Sequence, residues 1–420
     1  MNGDLLQGCV IWQNISIKSN FFMNSITNNN LDLKGKKVLL RVDLNVPMKN
    51  GAITETSRIE KIIPTINLLL EKQAKIIIIS HIGRPKGKVV EGMSLKPISE
   101  KLSFLLNKEV LFNKEPINKN TLLEINKISN GKIIMLENIR FNEGEELNNN
   151  EFSKKISNLG DIYINDAFSC SHRSHASVEG ITKYIPSYFG LQITEEMNAL
   201  KKITSEIEKP VSLIIGGSKI STKIKIIKNL IKKFNNIIIV GGMGNTMLKH
   251  TGSNIGKSIC ENECGSLIKE ILENSKKYNC EITIPKDAIV STDLHGEGKE
   301  KNINEIKDNE MILDIGPKTI SCIEKIISNS RTILWNGPAG YFENPNFQNG
   351  TKKILELISQ KTKNDKIFSV AGGGETVAAI NKFKKFDSFT FVSTAGGAFL
   401  EYLEGKTLPA IKALNQKCLN

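Results

Sequence analysis

From Lys36 onward, short uninterrupted runs of valine, isoleucine and leucine alternate with longer stretches of helical periodicity. The first group of runs is Val38 to Val42, Lys75 to Ile79, Lys132 to Leu136 and Ile162 to Ile164. After Pro210 the cadence restarts with Val211 to Ile215, Ile237 to Val240, Glu281 to Ile284, Thr332 to Trp335, Lys366 to Val370 and Phe389 to Val392. Continuous rather than alternating apolar runs mark strands buried on both faces, and helices between them imply parallel sheets built from βαβ units. The break lies at Glu208-Lys209-Pro210. Before it, Met197, Leu200, Ile203 and Ile207 recur at helical spacing, which predicts one helix over 193–207. A chain of 420 residues also exceeds ordinary single-domain size. The expected fold is α/β: two doubly wound parallel-sheet lobes joined by a helix and hinge. The expected divisions are a first lobe over 23–192, a linking helix over 193–209, a second lobe over 210–394, and a segment over 395–420 that returns to the first lobe.

Composition narrows the function classes only slightly. The formal charge is +13, but the lysines are scattered through helical stretches such as Ile224 to Lys233, as on a solvated face. A nucleic-acid partner is therefore not expected. No apolar run approaches the ~20 residues of a membrane span, so no membrane partner is expected either. The seven cysteines are odd in number and dispersed, and Cys260 and Cys264 have no matching pair at zinc-site spacing. Reduced thiols in a cytoplasmic protein are the expectation. Residues 1–22 lack the basic start and long apolar core of a signal peptide and fit nothing that follows, so they read as a dispensable extension.

The informative residues follow the strands, where parallel sheets bind ligands. In the first half these clusters are Asp43-Leu44-Asn45, His81-Ile82-Gly83-Arg84-Pro85, Glu137-Asn138-Ile139-Arg140 and Asp166. Arg58, His172, Arg173 and His175 join them. Any one arginine alone would be a surface ion pair. Several at successive strand ends suit a small, multiply anionic molecule, because guanidinium binds carboxylate and phosphate oxygens bidentately. The second half instead presents glycines before helices: Gly216-Gly217-Ser218-Lys219, Gly241-Gly242-Met243-Gly244, Asn336-Gly337-Pro338, Gly372-Gly373-Gly374-Glu375-Thr376 and Ser393-Thr394-Ala395-Gly396-Gly397. Backbone amides bared by glycine at helix starts suit phosphates, so this half reads as a nucleotide site. Two near matches fail. Gly252 to Ser258 has three residues between its glycines where a P-loop has four, and Gly242-Met243-Gly244 lacks the third glycine of a dinucleotide fingerprint because position 247 is Met.

Taken together and in order, these motifs resemble the phosphoglycerate kinase family from about Leu31 to about Ala413. The resemblance rests on Arg41-Val-Asp-Leu-Asn-Val-Pro47, Ser57-Arg-Ile59, Ser80-His-Ile-Gly-Arg-Pro85, Leu136-Glu-Asn-Ile-Arg-Phe141, Asn165-Asp-Ala-Phe168 and His172-Arg-Ser-His-Ala-Ser177. It continues through Gly216-Gly-Ser-Lys-Ile-Ser-Thr-Lys223, Asp314-Ile-Gly-Pro317, Trp335-Asn-Gly-Pro338, Phe342-Glu343 and Leu400-Glu-Tyr-Leu-Glu-Gly-Lys406.

The resemblance implies reversible phosphoryl transfer from 1,3-bisphosphoglycerate to ADP, giving 3-phosphoglycerate and ATP, by a monomer. It places Asp43, Leu44 and Asn45 on the hydroxyl side of 3-phosphoglycerate, and His81, Ile82, Gly83, Arg84, Arg140 and Arg173 around its phosphate and carboxylate. It makes Arg58 and Lys223 the catalytic pair, Arg58 at the reacting carboxylate and Lys223 on the transferred phosphoryl. For the nucleotide it implies Lys219, Lys223, Gly316, Asn336, Pro338, Gly373, Gly374, Glu375 and Thr376, with Glu343 on the ribose and Glu375 serving Mg2+. Lys219 and Lys223 are expected one helical turn apart. Two departures stand out: Glu375 replaces the family's usual Asp, and Ala395 replaces a glycine. A dehydrogenase would explain two α/β lobes but not the missing fingerprint. A nucleic-acid binder would explain the charge but not the strand ends.

Overall fold

The computed structural model describes residues 24–27, 31–49 and 51–416, so the expectation for residues 1–22 lies outside it. Two six-stranded sheets, parallel throughout, form the frame. The first is ordered Val110–Asn113, Ile133–Leu136, Lys75–Ile79, Lys37–Val42, Ile162–Asp166, Ser187–Phe189. The second runs Glu281–Thr283, Asn236–Ile239, Val211–Ile215, Thr332–Asn336, Phe368–Gly372, Phe391–Ser393. In each sheet the chain builds one side of its first strand before crossing to the other, going outward in the second sheet and, in the first, reaching the edge strand Val110–Asn113 before filling in Ile133–Leu136. The switch points therefore fall at the carboxyl ends of Lys37–Val42 and Val211–Ile215, where doubly wound sheets open a crevice.

The continuous apolar runs are explained by burial on both faces. Ile76, Ile77, Ile78 and Ile79 are all fully buried, each contributing roughly 1.5–3 kcal/mol over an exposed position. All ten expected runs overlap their strands within two residues at either end, the largest shift being Lys366 to Val370, which moves by two to Phe368–Gly372. Two strands of the first sheet were not anticipated: Val110–Asn113 at one edge and Ser187–Phe189 at the other. Both are short, as edge strands often are. A small antiparallel sheet of Asp287–Ser291, Lys299–Asn302 and Met311–Ile315 was also unforeseen; the Lys-Glu-Lys-Asn strand carries no apolar signal, although the other two do.

The linking helix spans Leu191–Thr204, starting two residues earlier and stopping three residues sooner than expected. It buries Ile193, Met197, Leu200 and Ile203 in an apolar cluster that also holds Leu39 and Ile77 of the first sheet and Leu213 and Ile215 of the second. The first and last described segments meet on the first lobe: Ala410 N donates to Ser171 O (3.2 Å), and Asn24 Nδ2 donates to Leu414 O (3.2 Å). No helix among the described residues is long and apolar enough to cross a membrane.

Candidate active site

On the first lobe, Asp43 follows the Lys37–Val42 strand at the switch point. Its Oδ1 accepts from Asn45 N (3.0 Å), while Oδ2 takes an ion pair from Arg58 and a hydrogen bond from Ser169 Oγ. Arg58 lies in the first turn of the Ser57–Glu71 helix, half-buried. Asn45 Oδ1 accepts from Gly83 N (3.0 Å), tying the first two strand-end loops together. Arg140, 3 % exposed, donates from Nη1 to Gly83 O (2.7 Å) and leaves Nη2 buried without a hydrogen-bond partner. A buried guanidinium with spare donors needs an acceptor, and an anionic ligand provides one.

His81 is buried beside it. Arg41 Nη2 reaches His81 Nδ1 at 3.1 Å, and burial together with Arg41, Arg140, Arg173 and His175 holds the imidazole well below its ordinary pKa. Burial and the same arginines press His175 down to about 3. Arg41 itself is fully buried, with Nε donating to Ser177 Oγ (3.0 Å), which donates on to Glu145 Oε1 (2.6 Å). Asp43, His81 and Cys170 offer three potential ligand atoms within 4.8 Å of one another. A cation there would face Arg41 and Arg58 at contact distance, so the pocket is an anion site by charge.

On the second lobe, a cavity of about 210 Å³ opens among Gly217, Gly241, Gly242, Pro338, Glu343 and Glu375, with an apolar wall from Met311, Ile312 and Leu313 of the antiparallel sheet. Lys223 Nζ donates to Gly216 O (2.6 Å) and Asn336 O (3.3 Å); burial lowers its pKa to about 8 despite Glu375 nearby. Gly373 adopts φ +96°, where a Cβ would lie 2.5 Å from Asn336 Nδ2, and Asn336 Nδ2 donates to Gly372 O (2.6 Å). The following helix, Gly374–Lys382, carries Glu375 in its first turn. Thr376 is inside that helix rather than at its start, with Oγ1 accepting from Gly337 N (2.7 Å).

Several expected site residues are placed differently from their neighbours. Lys219 and Lys223 are not on one helix: the helix begins at Ile224, Lys223 precedes it, and Lys219 is exposed in the loop. Upstream, Gly216 and Gly217 pass close to Pro338 O and Lys223 Nζ, where a Cβ would lie 2.2 Å and 3.3 Å away. Gly316 packs on Asp287, where a Cβ would meet the carboxylate at 2.4 Å, so its side faces the protein and not the cavity. Leu44 and Ile82 bury their side chains in the core, leaving only backbone at the strand ends. Arg84 is exposed and makes no hydrogen bond or ion pair among the described residues. Arg173 is half-buried near His81. The motifs contained Arg41 and Ser177 without revealing their link to His81 and Glu145. The available signal was an arginine inside an otherwise apolar strand.

Glu375 is exposed at the cavity and has no hydrogen-bond or ion-pair partner among the described residues. One free carboxylate is a hard oxygen donor, which fits magnesium completed by phosphate oxygens and water.

The model of the family described as phosphoglycerate kinase matches residues 28–406. The chain is 43 % identical over 388 residues to the phosphoglycerate kinase of Rhizobium meliloti, covering 92 % of this chain and 97 % of that one. It is 45 % identical over 384 residues to that of Wolbachia pipientis from Culex pipiens, covering 91 % and 97 %. Among solved structures, phosphoglycerate kinase from Coxiella burnetii superposes with a TM-score of 0.87 at 40 % identity, covering 94 % of this chain and all of that one. The enzyme from Pyrococcus horikoshii gives 0.79 at 29 % identity, covering 94 % and 98 %. With likeness in sequence and fold running through both lobes, the chain belongs to the phosphoglycerate kinase family and is a phosphotransferase with a carboxyl group as acceptor.

Proposed function

We propose that 3-phosphoglycerate binds the arginine-rich strand ends of the first lobe, that the adenine nucleotide binds the glycine-lined cavity of the second, and that the lobes close to bring them in line. The reaction is transfer of the acyl phosphate of 1,3-bisphosphoglycerate to ADP, and its reverse. The carrying observation is Arg140, buried with an unpaired Nη2 beside His81 at one switch point. In this reading the boundaries are 23–192 for the acid-substrate lobe, 193–209 for the linking helix, 210–394 for the nucleotide lobe and 395–420 for the returning segment.

Phosphoryl transfer needs no protein nucleophile; positioning and charge stabilisation do most of it. Asp43 and Asn45 orient the hydroxyl side of the acid, while His81, Arg84, Arg140 and Arg173 hold its anionic ends. Backbone at Leu44, Ile82 and Gly83 lines the same pocket. Arg58, held beside Asp43, stabilises charge at the reacting carboxylate, and Lys223 does so on the transferred phosphoryl. Lys219, Asn336, Pro338, Gly373, Gly374 and Thr376 surround the nucleotide, Gly316 contributes at most its backbone from behind the cavity wall, and Glu343 accepts from the ribose. Glu375 holds Mg2+, which neutralises phosphate charge when bound. Closure excludes water that would otherwise hydrolyse the acyl phosphate. We further propose a cytoplasmic monomer with no nucleic-acid or membrane partner.

The test is a coupled assay with 3-phosphoglycerate and MgATP, run beside Arg58→Ala. The variant should keep its circular dichroism spectrum and lose roughly 10³-fold in turnover, as transition-state arginines do elsewhere. Near-native turnover in Arg58→Ala removes the role given to that side chain.

A further inference from the structure

Arg41 engages all three of its guanidinium nitrogens with partners inside the protein. Nε donates to Ser177 Oγ, Nη1 to Val42 O, and Nη2 to His81 Nδ1 at 3.1 Å with Cys170 Sγ at 3.8 Å. The side chain is fully buried, so it does not itself reach a ligand. Ser177 is held in turn by Glu145, whose oxygens accept from Ser177 N (2.9 Å) and Ser177 Oγ (2.6 Å). Tyr163 OH donates to Ser177 O (2.6 Å), fixing the far end of the chain. Guanidinium has only donors. A nitrogen that receives its hydrogen bond must present a lone pair, so His81 Nδ1 carries no proton.

We propose that Arg41 is a positioning residue that fixes His81 as the Nε2–H tautomer, so that a neutral imidazole donates a hydrogen bond to the anionic acid substrate. The proposal rests on the placement of that substrate on the first lobe. Nε2 has no hydrogen-bond partner among the described residues, which leaves its N–H for the ligand. The groups facing His81 are Arg41, Arg140, Arg173 and His175, with Asp43 and the Cys170 thiol (Sγ 4.0 Å from Nδ1). Three guanidinium groups against one carboxylate oppose an imidazolium, and burial acts in the same direction. A neutral donor contributes its hydrogen bond without adding a further cation to the free site. Substrate affinity then does not follow histidine protonation through the neutral range.

Long-range ¹⁵N–¹H correlation of the histidine ring nitrogens, on the full unliganded chain, reads the tautomer directly. His81 should show a bare Nδ1 and a protonated Nε2, unchanged from about pH 5.5 to about pH 8. An Nδ1–H tautomer, or titration near the ordinary histidine pKa, overturns the proposal. In Arg41→Gln the tautomers should mix and the ring should titrate. The KM for 3-phosphoglycerate should then acquire a step, rising about tenfold above about pH 6.5, with kcat much less changed. A purely structural role would raise KM equally at every pH, and that result also overturns it. Ser177→Ala, which keeps the guanidinium but frees its Nε, should give a smaller mixing of tautomers if Arg41→Gln does not fold. His81→Ala separates the two readings: an unchanged KM removes the substrate contact, whereas the tautomer measurement judges Arg41 alone.

Discussion

Lys223 and Glu375 both approach Gly217 at the second-lobe cavity, and each carries a prediction that belongs to a single side chain. Burial sets the Lys223 ammonium at about pH 8. Its charge is present below that value and lost above it. The kcat/KM for nucleotide should therefore fall as pH rises through about 8, by up to tenfold per unit. Saturating nucleotide should move the break upward, because phosphate charge favours the ammonium. A flat profile to about pH 9.5 would remove Lys223 from the phosphoryl contact. Glu375 is one methylene longer than the family's usual Asp, so its carboxylate must fold back or reach the metal through water. Glu375→Asp should stay active, while Glu375→Ala should raise the magnesium requirement several-fold. If magnesium titrations of the Ala variant match those of the parent, Glu375 only caps its helix.

At the scale of elements, strand-to-helix turns decide how close a ligand can come to the backbone. The turn from Phe368–Gly372 into Gly374–Lys382 passes through Gly373, and two constraints coincide there: positive φ and the amide of Asn336. Gly373→Ala should cost about 1–3 kcal/mol from strain alone and disturb the Asn336–Gly372 hydrogen bond. Its Tm should fall by roughly 2–10 °C and its nucleotide KM should rise. Gly374→Ala meets nothing within 4 Å and should leave Tm nearly unchanged, so equal losses in both would contradict the packing account. These turns were legible because glycine clusters after apolar runs have few other uses. The antiparallel sheet was not, although it supplies Met311, Ile312 and Leu313 to the cavity wall. Two of its strands, Asp287–Ser291 and Met311–Ile315, are apolar and largely buried, but the third, Lys299–Asn302, is polar and half exposed, and only antiparallel pairing makes the three a sheet.

Across the whole molecule, Lys61 connects the lobes. From the first-lobe helix Ser57–Glu71 its Nζ donates to Val392 O (3.3 Å) and Thr394 Oγ1 (3.1 Å) of the second, and it lies 5.5 Å from the Phe386 ring centroid. Burial lowers the Lys61 pKa and raises those of Glu195 and Glu196 on the linking helix to about 7. These polar contacts lie beside the apolar cluster that the linking helix shares with both sheets, and the closure proposed above would turn about that junction. Small-angle scattering should show the radius of gyration smallest with both substrates bound, and less reduced by either alone. No compaction in the ternary mixture would mean a preformed site.

The cadence of apolar runs was enough to determine two parallel α/β lobes, because burial on both faces leaves no room for polar alternation. The residues after those runs also pointed to anionic ligands at the first lobe and a phosphate-bearing one at the second, since guanidinium clusters and glycine turns suit them chemically. Tertiary structure alone decided which of those residues share a pocket. Arg41 reaches His81 across adjacent strands, 40 positions apart in sequence, and Ser177 joins them from a distant loop. Lys219 stays outside while Lys223 turns inward, its Nζ held by Gly216 O and Asn336 O from another strand. Contacts of that separation depend on register and twist. Neither is written in local spacing.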